Sequence, residues 1–387
     1  MPSKPIDASP AIAKFLRERR RELGMTLRAV QEGSAQIGKP IPHSTLARIE
    51  SGQLDPGVLR LHQLLRLYRL PAQAAGDLLD LESVAGVAPT EQDPSKLRDL
   101  AMAAWSAGRV GRAMAYFFAF RDRVAKSLAP DEVRQDATLS FAIAASALGK
   151  HGLSKHLLED LLLQNPAPDV IVSVLVQLSV CWRSLGSTEA ALAFLERAAN
   201  LVGAEDHRRR GWIEHQRGLV RIDLGDYDRA AAALDFALAS HQLAKAPMDE
   251  ALVLISFARL GYERGNPDAA VAAGRRAAEF AEGRGFSRLR LFAQLETARA
   301  LHLQGEIDGS RVLLRSILAD SLTTDDSVMR FHAHYYLWKT ELASGELARA
   351  DIELREAAYF VRFVDQTTPE VSEIREHLRR QARKSSH

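Results

Sequence analysis

Seven glycines, Gly108, Gly149, Gly186, Gly225, Gly265, Gly305 and Gly345, follow one another at intervals of 41, 37, 39, 40, 40 and 40 residues. No other feature constrains the fold of this 387-residue chain as tightly. Five residues after each glycine stands a small side chain: Ala113, Ser154, Ala191, Ala230, Ala270, Ser310 or Ala350. Seven residues before each stands another, Ala101, Ala142, Ser179, Gly218, Ala258 or Ala298, and in the last interval Trp338. A glycine turn flanked in this way predicts two antiparallel helices that approach closely where the small residues meet. One such pair cannot bury its apolar face alone, so consecutive pairs must stack, and the stacking supplies the core. The pattern therefore predicts an all-α solenoid of about seven helix pairs over residues 95–365, forming a curved superhelix. The segment Pro369 to Lys384, amphipathic through Val371, Ile374 and Leu378, is expected to cap its end.

In the fourth interval the turn reads Leu224-Gly-Asp-Tyr-Asp-Arg-Ala230, and Pro166 ends the second unit. These residues resemble the tetratricopeptide repeat. The usual period of that repeat is about 34 residues, so the resemblance implies longer helices here.

The stretch before Ser83 is organised differently. Within Ile41 to Gly52, Leu46 and Ile49 share one helical face, while Ser44, Ala47, Arg48 and Ser51 share the opposite one. The second face is small, polar and cationic, so it can approach another surface closely, and the Arg48 fork matches a guanine edge or a phosphate. Upstream, Ile12 to Leu23 reads as a basic helix with Arg17, Arg19, Arg20 and Arg21, followed by Gly24 and a second helix capped by Thr26. Downstream, Asp55-Pro56 opens a fourth helix with Val58, Leu61, Leu64, Leu65 and Tyr68, and Pro71 a fifth with Leu78, Leu79 and Leu81. Five short helices make a compact bundle.

Over roughly residues 11–82 this arrangement resembles the Cro and lambda-repressor-like helix-turn-helix family. The resemblance implies that His43, Ser44, Thr45, Ala47 and Arg48 face base edges and phosphates of double-stranded DNA, that Leu46 and Ile49 lie in the core, and that Glu50 pairs with Arg20. Leu27 stands where the family often has a phosphate-touching Gln, which passes that role to Arg28 or to the first-helix arginines. The path from Gln31 to Pro42 is about five residues longer than is usual for the family.

Composition fits two modules. Nearly half of the chain, 47%, is apolar, enough for more than one core. Residues 1–82 hold 12 Lys and Arg against 9 Asp and Glu, leaving 39 against 40 in the remainder, so the basic excess lies with the helix-turn-helix stretch. Between the modules, Ser83 to Ser95 contains Gly86 and two prolines without a helical stripe and reads as a linker. The resulting expectation is a DNA-binding domain over 1–82, a linker over 83–95 and a repeat domain over 96–387.

One cysteine, Cys181, excludes an intramolecular disulfide and reads as a buried thiol. The opening residues Met1 to Pro10 are polar, and the apolar run Val170 to Trp182 is too short to span a membrane, so a cytoplasmic protein without membrane contact is expected. Catalytic patterns are missing from the sequence. Gly149-Lys150 lacks the rest of a phosphate loop, Gly283-Arg-Gly285 follows a helix, and His332 and His334 point to nearly opposite sides of one helix. Neither an enzyme nor a cofactor is expected.

The combination of modules is similar to the intracellular peptide-pheromone receptors, in which the ligand lies in the concave groove of the repeats. The similarity implies a homodimeric transcriptional regulator whose repeat domain senses a peptide, a small anionic ligand or a protein partner. Those receptors hold their peptide with groove asparagines, whereas the asparagines here, Asn165, Asn200 and Asn266, fall at helix ends or turns. The alternative is a scaffold whose repeats hold a partner protein and whose helix-turn-helix only places it on DNA. In the groove, the position six residues before each turn glycine is apolar in the first four intervals and cationic in the last three, as Arg259, Arg299 and Lys339, with His215, Glu263 and His302 nearby. This stripe is either a charged face balanced by acidic neighbours or a site for an anion.

Overall fold

The structure, a computed structural model, describes residues 9–127, 129–324, 326–364 and 368–384. The polar opening segment Met1 to Ala8 lies outside the described residues. The chain divides into two compact units, Met1–Val84 and Ala85–His387. Regular structure among the described residues is helical.

The first unit contains α1 (Pro10–Glu22), α2 (Leu27–Ile37), α3 (His43–Glu50), α4 (Gly57–Leu67) and α5 (Ala72–Ala85). Side-chain caps set two of the helix starts. Ser9 Oγ accepts from the Ile12 amide at 3.1 Å, and Thr26 Oγ1 accepts from the Ala29 amide at 3.1 Å. Ser9 also donates to Glu82 on α5, whose other oxygen accepts from the Ala11 amide, so the last helix of the unit clamps the first. Leu16, Val30, Leu46, Ile49, Leu64 and Tyr68 fill the core. Val58 and Leu79 do not join it: both are exposed, because the buried face of α4 runs through Leu64, Leu65 and Tyr68 and that of α5 through Leu78 and Leu81. The long path after Gln31 is taken up by α2 itself, which continues to Ile37 before a short link reaches α3. Helix α5 likewise continues to Ala85, and the non-helical segment is confined to 86–93.

The second unit is a row of antiparallel pairs. They are α6 (Pro94–Ser106) with α7 (Val110–Lys126), α8 (Asp131–Ala147) with α9 (His151–Leu163), α10 (Pro168–Ser184) with α11 (Thr188–Ala199), and α12 (His207–Asp223) with α13 (Tyr227–Leu243). There follow α14 (Pro247–Glu263) with α15 (Pro267–Glu282), α16 (Ser287–Gln304) with α17 (Ile307–Thr324), α18 (Ser327–Ala343) with α19 (Leu347–Phe360), and the single helix α20 (Pro369–Lys384). All seven turn glycines adopt positive φ, between 72° and 83°, which ends one helix and reverses the chain. The small residues on both sides of each turn are buried. At Gly261 a Cβ would stand 2.7 Å from the Ala270 amide nitrogen, so the two backbones touch there. Ser310 Oγ donates to the Ala298 carbonyl at 2.9 Å, tying the two small positions of one pair together. Trp338, the departure from the rule, is buried edge-on to His377 of α20 at 5.1 Å, so the terminal helix packs on the large side chain.

The row returns on its own beginning. Arg288, in the first turn of α16, lies over the Trp105 ring of α6 at 4.7 Å and the Phe292 ring at 4.9 Å. Its Nη2 donates to the Ala147 carbonyl of α8 at 3.3 Å, and its Nε to Asp326, the N-cap of α18, at 2.7 Å. Arg288 is 6% exposed and Asp326 is fully buried. Nearby, Lys150 Nζ lies 3.5 Å from the Arg362 carbonyl, again joining the second pair to the end of the row. A buried pair of this kind differs from the surface ion pairs elsewhere on the helices. Exposed pairs contribute about 0–1 kcal/mol, whereas removing one partner of a buried pair strands the other charge at about 3–5 kcal/mol. Arg288→Ala is therefore expected to destabilise the repeat unit by about that larger amount, while Arg229→Ala, at an exposed pair with Asp226, shifts it by less than about 1 kcal/mol. Urea unfolding followed by helical circular dichroism compares the two variants. Equal midpoints for both would show that the return contact contributes nothing.

Candidate functional site

Two surfaces carry the residues singled out in the sequence. The first is α3. Its entry is fixed by side chains from α2 and α4: Gln31 Oε1 accepts from the His43 amide at 2.8 Å, Ser34 Oγ accepts from the Ile41 amide at 2.9 Å, and Gln63 Nε2 donates to the Ser34 and Lys39 carbonyls, both at 2.9 Å. Its inner face is anchored by Leu46 and Ile49, and by Glu50, which accepts Arg20 Nε at 2.7 Å and Nη2 at 2.8 Å in a bidentate pair. Arg20 also donates to the Met25 carbonyl at 2.8 Å, so one guanidinium ties α1, the following turn and α3 together. Its hydrogen bond to Glu50, opposed by burial, holds the Arg20 charge above its ordinary range.

The outer face of α3 presents His43, Ser44, Ala47 and Arg48 to solvent, with Thr45 half-buried beside them. His43 Nδ1 is 3.2 Å from Gln31 Oε1, which fixes the ring at the helix start. Arg28 on α2 is exposed as well. Among the described residues neither Arg28 nor Arg48 has a carboxylate partner. A rigidly seated helix with a free guanidinium and small neighbours can dock closely against an anionic, hydrogen-bonding surface.

The second surface lies on the first helices of the later pairs, where each anticipated cation has a carboxylate at hand. Arg259 donates to Asp223 at 2.7 Å, Arg299 to Glu263 at 3.4 Å and Lys339 to Glu373 of α20 at 2.5 Å. The first two pairs follow one rule: a cation six residues before its turn glycine meets an acid two residues before the preceding one. Arg299 is the most enclosed. Its Nη1 also holds both Glu296 oxygens, at 2.8 and 3.0 Å, and its guanidinium sits between the Tyr262 and Tyr336 rings at 4.2 and 5.2 Å. Burial opposes that charge, but Glu296, the two tyrosines and Glu263 outweigh it and hold the guanidinium above its ordinary value. The stripe is thus balanced by acidic neighbours at Arg299 and Lys339.

Arg259 differs because Asp223 is shared. Arg183 Nη1, from α10, reaches the other Asp223 oxygen at 3.1 Å. His215 is buried about two turns earlier on α12 with its Nε2 2.7 Å from Ser256 Oγ of α14; burial, His241 and Arg183 push its imidazole down to about 3. His302 lies 3.4 Å from Thr340 Oγ1, and burial with the Lys339 charge lowers it too. Sequence reading missed Arg183, Asp223, Glu296, Glu373 and the two tyrosines. The signal for Asp223 and Glu263 was available as a spacing of 36 residues to the cation in the next interval.

Other candidates resolve as structural. Cys181 is buried, 3.4 Å from Ser154 Oγ, and burial pushes its thiol up to about 11, outside the range of a reactive thiolate. His334 pairs with Glu353 at 2.7 Å and stacks on Phe360, while His332, also half-buried, lies edge-on to Phe331. Among the described residues no cluster of His, Cys, Asp and Glu is suited to a metal ion, and no helix is long and apolar enough to cross a membrane.

In sequence, the chain matches no family profile and no curated protein. In structure, it is similar to a Rap protein complexed with Competence and Sporulation Factor, at a TM-score of 0.52 and 15% identity, over 95% of this chain and 99% of that one. Weaker similarity extends to PlcR of Bacillus thuringiensis in complex with the peptide PapR7 and DNA, at TM-score 0.41, 13% identity, 74% of this chain and 99% of that one. A tetratricopeptide repeat protein from Parabacteroides merdae matches at TM-score 0.43, 16% identity, 73% of this chain and 98% of that one. The fold is that of a tetratricopeptide-like solenoid.

His215 gives this surface a measurable pH signature. The unfolded imidazole binds a proton near 6.5 and the folded one only near 3, so between those values the unfolded chain holds the extra proton and acid favours unfolding. Stability is expected to fall by about 1.4 kcal/mol per pH unit from this group below pH 6.5. Thermal melts at pH 7 and pH 5 should show a shallower acid loss for His215→Gln than for the unmodified protein. Parallel slopes would mean that His215 titrates normally.

Proposed function

We propose that the protein is a DNA-binding transcriptional regulator whose repeat unit senses a ligand, a peptide in the first instance. The observation that carries the DNA half is the α3 face: Ser44, Ala47 and Arg48 exposed on a helix seated by Gln31, Ser34, Gln63 and the Arg20–Glu50 pair, with Arg48 and Arg28 unpaired among the described residues. In this reading Arg48 reaches a base edge, Ser44 and Thr45 contact base or phosphate, Ala47 permits close approach, and His43 and Arg28 hold phosphates. The likeness of the repeat unit to Rap supports a ligand-sensing solenoid. The reading also includes a homodimer on two half-sites, with the repeat unit as dimeriser, since helix-turn-helix proteins commonly read paired sites.

Fluorescence anisotropy with fragments of the protein's own promoter tests the DNA half. Arg48→Ala should cost about 1–3 kcal/mol on a specific site and little on unrelated DNA. Arg28→Ala should weaken all sequences alike and reduce the salt dependence by about one counterion. If the double variant Ser44→Ala/Arg48→Ala, still folded, binds its operator unchanged, α3 is not the reading helix. Sedimentation of the full chain is expected to give a dimer, and a monomer that still binds a palindrome tightly would remove the dimer from the proposal. A protein that retains no affinity for any promoter fragment would favour the adaptor reading, in which the repeats hold a partner protein.

A further inference from the structure

The groove cations differ in how completely they are neutralised. At the level of α16, Arg299 faces two carboxylates, Glu296 and Glu263, and its ring neighbours close over it. At the level of α18, Lys339 faces Glu373, with Glu370 accepting from the Tyr336 hydroxyl alongside. At the level of α10, α12 and α14, two guanidinium groups share the single carboxylate of Asp223. Within this cluster one positive charge is left over, and Glu263, one turn further along α14 from Arg259, is engaged with Arg299. Asp223 is the last residue of α12, where the negative end of the helix dipole disfavours a carboxylate, so its charge depends on the two arginines.

Donors are left over as well. Arg183 Nε is buried without a hydrogen-bond partner, and burial followed by the Arg259 charge holds the Arg183 guanidinium below its ordinary value. Among the described residues Arg259 uses only Nη2, on Asp223, and its side chain is 30% exposed, twice the exposure of Arg299. His215, buried and neutral about two turns before Asp223 on α12, takes Ser256 as partner and adds no competing charge. In the same register on α6 and α8, Met102 and Ile143 are exposed, so the groove changes from apolar to cationic between its first pairs and this level.

We infer that the Arg183–Asp223–Arg259 cluster is an anion subsite that takes one singly charged carboxylate, such as the free C-terminus of a short peptide, in a fork formed chiefly by Arg259. The inference rests on the ligand-sensing reading of the repeat unit and names the end of the ligand it recognises. A phosphate monoester offers related oxygen acceptors, and the experiment separates the two sources.

The test uses the full chain and two arrayed libraries of random heptapeptides, one ending in a free carboxylate and one amidated. Binders are expected from the carboxylate library only. Their affinity should fall by about tenfold or more in Arg259→Gln, and rise in Asp223→Asn, which removes the competing carboxylate while keeping the side chain's shape. That rise is a result a purely structural role would not give, and melting curves confirm that both variants fold. Peptides that bind with or without the carboxylate, or that ignore Arg259→Gln, overturn the subsite and leave the peptide reading standing. Thermal protection by millimolar inorganic phosphate that vanishes in Arg259→Gln, with neither library binding, assigns the subsite to a phosphate and removes the peptide reading alone. No response to peptide, phosphate or acetate overturns both.

Discussion

The contact on which the repeat unit depends is the backbone approach between the two helices of each pair. At Gly261 and Ala270 there is no room for a single added Cβ, and at Ala298 and Ser310 the hydroxyl bridges to the facing carbonyl. Such contacts fix rotation as well as distance. Once the residue seven before the turn glycine faces its partner helix, the residue six before must point about 100° round from it. The charges of the stripe are thus placed by the small residues beside them. A larger residue at Ala258 would turn α14 and carry Arg259 away from Asp223.

Stacking at a constant period then determines which charges meet. A side chain reaching back one interval meets a residue 36 positions earlier, which joins Arg259 to Asp223 and Arg299 to Glu263. The ladder ends where the acids end. Leu303 occupies the position from which an acid would meet Lys339, and Lys339 turns to Glu373 on α20. The terminal helix therefore covers apolar surface through Trp338 and also completes the charge pairing of the last pair. Arg288 belongs to a different class of contact, because it joins pairs far apart in the row. Phe292 and Asp326 belong to its own helix and the next pair, but Trp105 and Ala147 come from elements that meet it only after the row has curved.

Local and periodic features were legible in the sequence, and long-range closure was not. The seven turns, the small positions beside them and the terminal helix follow from spacing, because each is decided within one pair. The Arg20–Glu50 pair followed from resemblance and is present with both oxygens engaged. The stripe of Arg259, Arg299 and Lys339 left two readings open, a face balanced by acidic neighbours or a site for an anion; Glu263 was among its named neighbours, whereas Asp223 and Glu373 become visible only once the pairs are stacked. The meeting of Arg288 with Trp105 and Ala147 has no sequence signature: it depends on the summed rotation of several pairs, which small differences in interval length alter.

The magnitudes also separate the cations of the stripe by what a competing anion would have to displace. Arg299 is 14% exposed, held by two acids and covered by two rings, and breaking an enclosed pair of that kind costs about 3–5 kcal/mol. No small anion recovers that from one new contact. The Arg259–Asp223 pair is more open, with Arg259 30% exposed and Arg183 still holding the other Asp223 oxygen, so less is lost when the Arg259 guanidinium divides its donors between Asp223 and an incoming carboxylate. A hydrogen bond to a charged group contributes about 1.5–3 kcal/mol, enough to exceed that loss. The level that is least neutralised is also the one where exchange is cheapest, which is why the proposed anion subsite is placed at Arg259 rather than at the more elaborately held Arg299.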